Sequence, residues 1–246
     1  MQKLKQIYRD NYAGENIVSQ LTLTGGEWIP ETEYVPNVVT NIHSTTQAVA
    51  IGNGESRLEF DLSHIANHRG GLLGADRLQT YGCNALYRDF TPDFLIATGD
   101  VIADEIARSG YTRDHIVYAS ADIMLKHPGH FYLIPQNIQF DAGALAAYMA
   151  CFDGHKKVFL LGHDHYQEEG AVNNVYKDTN GYPASTDMDN GALFVLTLAD
   201  VIKTYSDVDF VRVQPENTHW INPTLTPLVN CRQISFREFV LEADIG

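Results

Sequence analysis

The chain has 246 residues, of which 44% are hydrophobic and 20% charged, and its formal net charge at neutral pH is −14. This is the composition of a globular protein with a core of ordinary size, not of a disordered chain. The acidic excess argues against binding to a nucleic-acid backbone or an anionic membrane, because both rely on clustered Lys and Arg. A small anionic ligand stays compatible with it, since backbone N–H groups and one or two Arg suffice.

Cysteine usage and apolar runs bear on the compartment. Cys83, Cys151 and Cys231 are widely spaced and odd in number, which indicates neither a disulfide framework nor a zinc motif. Free thiols in a reducing compartment are the expected state. The N-terminus has no apolar signal segment, and the longest apolar run, 142–152, is far shorter than the ~20 residues that span a bilayer. The sequence therefore predicts a cytoplasmic protein.

Residues 1–46 differ in pattern from the rest of the chain. The stretch 16–29 has two apolar runs separated by Gly25 and Gly26, which predicts a β-hairpin with a glycine turn. Pro30 and Pro36 are expected to limit regular structure beyond it. We expect this segment to be an extension that packs on the main domain or forms a homo-oligomer contact.

From residue 47 to residue 246, short apolar runs alternate with helical patterns. This alternation predicts an α/β, Rossmann-like domain with a mainly parallel sheet flanked by helices. Ligands of such sheets bind beyond the carboxyl ends of the strands. Strands are predicted at 48–51, 78–83, 94–98, 115–119, 157–162 and 208–213, and helices at 61–66, 101–109, 141–152 (with Asp141 as N-cap) and 189–205. A long polar loop is predicted at 163–187, and a final strand and turn near 234–239.

A glycine loop comes directly after the first predicted strand of this domain. Gly52 and Gly54 would let the backbone approach a phosphate, because neither has a Cβ. The helix beyond adds N–H donors and positive potential near Ser56. Asn53 offers both a donor and an acceptor, and Arg57 would neutralise phosphate charge. The pattern favours a nucleotide-binding loop, with a ligand-free strand–helix turn as the alternative.

Polar side chains also occur at the ends of two later strands. Asn84 lies just past the strand 78–83, where it would hold a ribose or a base, although Asn is also a common capping residue. His163, Asp164 and His165 come after the strand 157–162. Both histidines suit proton transfer near neutral pH. A zinc site is the alternative for this cluster, but no further ligand has diagnostic spacing, and the sequence predicts no metal there.

The polar loop carries hydroxyl groups and a lysine. Tyr176 and Lys177 are followed by Tyr182 and Thr186. Such side chains suit a lid that stabilises charge on a leaving phosphate. A solvated loop without that role is the alternative.

These stretches, in this order, resemble the single-domain Rossmann-like bacterial sialyltransferases, which use CMP-sialic acid. The resemblance covers about residues 47–215 and leaves residues 1–46 outside it. It is carried by 52–56 (GNGES), where Glu replaces the usual proline, by 83–87 (CNALY), by 161–167 (LGHDHYQ) and by 186–187 (TD).

By that resemblance, Asn53 and Asn84 would contact the nucleotide, together with Asp164 and Thr186. Tyr166 and Tyr176 would stabilise the departing phosphate. A CMP-type nucleotide-sugar would be the donor substrate and a glycan the acceptor, with no tightly bound cofactor.

The position of the family's general-base histidine falls near Tyr182 in this chain. No His lies between His165 and His219, and tyrosine is a poor base at neutral pH because its ordinary pKa is near ~10. His163 or His165 would then act as the base, or the acceptor chemistry differs, or the site binds without turnover.

The chain is also similar to archaeal hydroxymethylpterin diphosphokinases and flagellin-modifying glycosyltransferases. The similarity rests on the glycine loop and on 92–100 (PDFLIATGD), a strand that ends in aspartate. It implies ATP and magnesium, with Asp100 holding the divalent ion. The chain further resembles products of tailed-phage genomes, which would place it in the host cytoplasm.

The sequence supports three hypotheses. The first is a nucleotide-sugar-dependent, sialyltransferase-like glycosyltransferase. The second is an ATP- and Mg²⁺-dependent phosphotransferase centred on Asp100. The third is a binding or structural protein on the same fold, with residues 1–46 as an assembly arm.

Overall fold

The computed structural model describes residues 2–8, 15–36, 45–70, 75–165, 172–185 and 190–246. The described strands form two sheets. A three-stranded antiparallel sheet has the order β1-β2-β3, and an eight-stranded sheet has the order β11-β10-β9-β4-β5-β6-β7-β8. Every neighbouring pair in the larger sheet is parallel. The predicted α/β class, with a mainly parallel sheet flanked by helices, is confirmed.

The N-terminal sheet consists of β1 (Gln2–Tyr8), β2 (Glu15–Thr24) and β3 (Glu27–Pro36). The predicted hairpin is its β2–β3 pair, which turns at two glycines with positive φ, Gly25 and Gly26. The expectation that Pro30 limits regular structure is wrong, because β3 continues through it. β3 is an edge strand, where a missing N–H need not break a ladder bond. The Trp28 indole donates to Asp122 Oδ1 at 2.9 Å and so ties this sheet to the main body.

β8 was not predicted, and β11 begins three residues before the predicted final strand. Six strands of the larger sheet lie within one residue of the predicted ones at both ends. Those at its centre are apolar and buried over most of their length, as expected for strands covered on both faces. The strands are β4 (Gln47–Ile51), β5 (Gln79–Cys83), β6 (Phe94–Ala97), β7 (Ile116–Ala119), β8 (Tyr132–Leu133), β9 (Lys157–Leu161), β10 (Asp209–Gln214) and β11 (Cys231–Ser235).

The helices form two layers around the sheet. The core on one face includes Leu145 and Leu198 from two of these helices, and the core on the other includes Ile106 and Phe239 from two more. None of the described helices is long and apolar enough to cross a bilayer. The helices are α1 (Ser63–Ala66), α2 (Asp100–Ser109), α3 (Ala121–Lys126), α4 (Ala142–Phe152), α5 (Asn190–Thr204) and α6 (Phe236–Glu242).

Two helix ends test the predictions at residue level. Asp141 caps α4 as predicted, since its carboxylate accepts from the amides of Gly143 and Ala144. The prediction of a final strand and turn is wrong in its second part. β11 ends at Ser235, and α6 begins directly after it with a capping box formed by Ser235 and Glu238.

The strand order creates a switch point in the sheet. From β4 the chain adds β5 to β8 on one side and β9 to β11 on the other. Connections therefore leave β4 and β9 in opposite directions, and a crevice opens between the carboxyl ends of these neighbouring strands.

Candidate functional site

A cleft of about 390 Å³ lies at this switch point. It is bounded by the ends of β4, β5 and β9, the start of α4, and part of the loop after β9. Its lining combines polar side chains with apolar ones, among them Phe194 and Pro183. The described residues that line it are 52–54, 83–84, 98, 141–143, 162–165, 172–174, 181–183 and 194.

The glycine loop packs against the end of β9 at backbone contact distance. Gly52 N donates to the Leu161 carbonyl at 2.8 Å, and Gly54 N donates to the Gly162 carbonyl at 2.9 Å. A Cβ on Gly54 would lie 2.7 Å from Gly162 O and 2.5 Å from Asp164 Cγ. The absence of side chains at these glycines therefore serves the close approach of two backbone segments.

Two further amides of this loop are also bound within the protein. Glu55 N donates to Asn173 Oδ1 at 2.8 Å, and Ser56 N donates to Asp164 Oδ2 at 3.0 Å. The Ser56 hydroxyl makes a short hydrogen bond to the same carboxylate. Asp164 thus takes the position at the head of the short 3₁₀ helix Glu55–Glu59 where the sequence predicted a phosphate.

Asn53 projects into the cleft with one of its polar atoms unused. Its Nδ2 donates to the Cys83 carbonyl at 3.2 Å and lies 3.5 Å from the Tyr182 hydroxyl. Its Oδ1 is buried and has no hydrogen-bond partner, and the residue is only 8% exposed. Asn53 therefore lines the cleft with one unused acceptor, which agrees with its predicted place after β4.

Asn84 lines the cleft, but its side chain is bound to a neighbouring strand end. Thr98 N donates to Asn84 Oδ1 at 2.8 Å, and Asn84 Nδ2 donates to Thr98 Oγ1 at 3.2 Å. Its φ of 49° lies in the left-handed region that Asn tolerates. Asn84 fixes the ends of β5 and β6 relative to each other.

His163 and His165 lie on one wall with their Nε2 atoms buried and unpartnered. Their ring centroids are 5.9 Å apart. Burial, with the charge of Arg212, lowers the pKa of His163 to about 4. Burial and the neighbouring His163 and Arg212 lower the pKa of His165 well below its ordinary value. Both rings are neutral at pH 7, so they are hydrogen-bonding groups and weak bases there.

Asp141 was predicted only as a helix cap, yet its carboxylate lines the cleft. The Thr197 hydroxyl makes a short hydrogen bond to Asp141 Oδ2. Burial raises the pKa of Asp141, and these hydrogen bonds oppose the rise. A Cβ on Gly143 would lie 3.2 Å from both Asp141 Oδ1 and His163 Cε1. A side chain at this position would therefore crowd both the carboxylate and the imidazole.

Arg212 is a buried charge that the sequence motifs did not indicate. It is 1% exposed, and its guanidinium donates to the His163 carbonyl at 3.4 Å and to Gln233 Oε1 at 3.1 Å. Burial lowers its pKa, and the charge of Asp164 opposes that effect. An arginine inside the apolar run of β10 was the available signal, because an unpaired charge rarely occupies a central strand.

Ser56, Arg57 and Tyr176 are predicted site residues that lie outside the cleft lining. Arg57 Nη2 donates to the Tyr176 hydroxyl at 2.7 Å, and that hydroxyl donates to Asp89 in a short hydrogen bond. Arg57 is buried and also lies 3.5 Å from Asp89. The guanidinium and the phenol form a closed cluster beside the glycine loop instead of facing a ligand.

Tyr182, by contrast, lines the cleft. Its hydroxyl accepts from Ala85 N at 3.4 Å and faces Asn53 Nδ2. Burial and the neighbouring Cys83 raise its pKa to about 12, so it stays protonated at neutral pH. It is placed to donate a hydrogen bond to a ligand and not to remove a proton.

Asp100, the predicted magnesium ligand, lies away from the cleft. It begins α2 and forms an ion pair with Lys126 Nζ, 2.6 Å from Oδ1, on the exposed surface. It is not among the residues that line the cleft. No group of three or more His, Cys, Asp or Glu suited to a metal ion occurs among the residues that the structure describes. Tyr166 and Thr186 lie outside the described residues.

Comparisons with protein-family models, with curated proteins and with solved structures found no match to this chain.

Proposed function

We propose that the chain is a glycosyltransferase-like enzyme that binds a nucleotide-activated sugar in the switch-point cleft. The observation that supports this proposal most is Asn53, which lines a 390 Å³ cleft at the sheet's switch point and whose buried Oδ1 has no hydrogen-bond partner. Parallel sheets hold their ligands at this place, and a cleft of this size suits a small organic molecule.

The cleft walls fit the two chemical parts of a nucleoside. Phe194, 38% exposed, offers an aromatic face on which a base can stack. Asn53, Tyr182 and the two histidines offer polar atoms for hydroxyl and amino groups. A CMP-type donor remains the leading choice, on the motif resemblance alone.

Asp141 is the better candidate for the general base that activates an acceptor hydroxyl. Its pKa is shifted by burial towards neutrality, whereas the pKa of His163 is shifted away from it. General-base efficiency is greatest when the pKa lies near the working pH. In this scheme His163 and His165 would orient the acceptor as neutral hydrogen-bonding groups.

Titration calorimetry with cytidine, uridine, guanosine and adenosine 5′-monophosphates, each beside its nucleoside, tests the proposal. We expect one base series to bind at millimolar concentration or tighter. Phe194→Ala should weaken that binding by roughly 5- to 100-fold through lost stacking. Leu241→Ala, an exposed apolar residue of α6, is the matched control. No binding of any compound would remove the proposal.

Turnover requires a second assay. A CMP-sugar incubated with the chain should release CMP faster than in buffer as its sugar passes to water, the acceptor in this assay, and Asp141→Asn should abolish the gain while retaining binding. Binding without release in the wild-type chain would favour the alternative of a non-catalytic binding protein. Two observations favour that alternative: loop amides are already hydrogen-bonded within the protein, and the histidines are neutral.

A further inference from the structure

We propose that the group held in the cleft is uncharged or cationic and rich in hydrogen-bond donors, and that phosphate is kept out of the glycine loop. This inference rests on the proposed function and narrows it. In a nucleotide-sugar, the hydroxyl and amino groups of the nucleoside or sugar would occupy the cleft, and the phosphate would lie outside the loop.

The first ground is the fixed orientation of Asn53. The Cys83 carbonyl can only accept, so it holds the NH₂ group of the Asn53 amide on its own side. The amide oxygen is left as a buried acceptor without a donor. A ligand O–H or N–H satisfies that atom, whereas an ionised phosphate offers only acceptor oxygens.

The second ground is the state of the loop donors. The amides of Gly52, Gly54, Glu55 and Ser56 all donate to acceptors of the protein. A phosphate would have to displace the Asp164 carboxylate from Ser56 in order to use the head of this helix. The site that usually attracts an anion already holds one.

The third ground is the charge of the lining. Its described residues include two carboxylates, Asp141 and Asp164, and neither Lys nor Arg. Arg212, a buried cation behind this wall, donates to the His163 carbonyl and to Gln233 and does not line the cleft. A phosphate would therefore meet like charge, while hydroxyl and amino groups would meet acceptors.

Calorimetry of the full chain with a nucleoside and its 5′-monophosphate, at equal ionic strength, tests the inference. We expect the Kd of the nucleoside to be at most three times the Kd of the monophosphate. Asp164→Asn keeps the side chain's size and one of its two acceptor oxygens, and it should tighten monophosphate binding at least fivefold relative to the nucleoside. Asp114→Asn, at an exposed position outside the cleft, should leave the ratio of monophosphate affinity to nucleoside affinity unchanged.

Asn53→Ala should weaken nucleoside and monophosphate about equally, by roughly tenfold. Circular dichroism would show whether this variant folds. If it does not, the Asp164→Asn ratio decides alone. A monophosphate that binds more than tenfold tighter than its nucleoside, with Asp164→Asn leaving the ratio unchanged, would overturn the inference and leave the proposed function standing. Failure of both compounds to bind would remove the proposed function and the inference together.

Discussion

Gly52→Ala should destabilise the free chain by about 2–4 kcal/mol. A Cβ at this position would lie 3.0 Å from the Gly162 carbonyl carbon and 3.3 Å from His163 Cδ2, with the Gly162 carbonyl oxygen closer still. Carbon atoms attract best at about 3.5–4.0 Å. The obstacle is backbone, so the ends of β4 and β9 must separate. Overpacking costs about 1–3 kcal/mol. Weakening the two hydrogen bonds that the loop amides donate to the carbonyls of Leu161 and Gly162 adds about 1 kcal/mol.

Urea unfolding followed by circular dichroism, without any ligand, measures this free energy of unfolding. Gly143→Ala is the matched variant, because its Cβ has nearest neighbours at 3.2 Å and sits in the first turn of α4, where alanine favours the helix. We expect that variant to stay within about 1 kcal/mol of the wild type. If the free energy of unfolding of Gly52→Ala lies within about 0.5 kcal/mol of the wild-type value, the packing argument is refuted. Close approach of a ligand would then be the better reason for this glycine.

Three further outcomes are expected. Tyr176→Phe leaves Arg57 without its phenol acceptor and should cost about 1–3 kcal/mol of stability in urea unfolding while calorimetry finds nucleoside binding unchanged; a binding defect without a stability loss would contradict this. His163 should make stability fall by about 3 kcal/mol as pH drops from 6.5 to 4, since only the unfolded chain takes up its proton there. His163→Gln should remove the share of that slope due to His163. His165, whose lowered pKa acts in the same sense, and Asp141, whose raised pKa acts in the opposite sense, are common to both chains. Arg212→Met should lower the free energy of unfolding in urea by about 2–4 kcal/mol, because it removes the buried charge that faces Asp164.

The architecture of the larger sheet could be predicted from the sequence because its central strands are buried on both faces. Runs such as Gln47–Ile51 and Lys157–Leu161 are mostly apolar and stand apart from the helical patterns between them. The position of β9 beside β4 could not be predicted, because no local pattern encodes which distant strand is a neighbour. The short β8 and α3 were missed, since two and six residues carry too little periodicity.

The cleft could be predicted in part. Asn53, His163 and Asp164 come after strand ends, and the parallel topology brings them to one edge. The same rule indicated Asp100, whose carboxylate turns to Lys126 instead. Side-chain direction depends on partners that the sequence does not place, and this also separates Tyr182, which lines the cleft, from Tyr176, which binds Arg57 and Asp89.

A glycine-rich turn after a first parallel strand has two physical causes with one sequence signature. Backbone without a Cβ admits a phosphate, and it also admits another backbone. The two causes differ in where the amide hydrogens go: towards open space in the first case, and to protein acceptors in the second. Here Gly52 and Gly54 donate to β9 and its end, and Ser56 donates to Asp164. The turn therefore sets the distance between β4 and β9, and under the proposed function recognition would fall to the side chains that line the cleft, above all Asn53, whose Oδ1 has no hydrogen-bond partner.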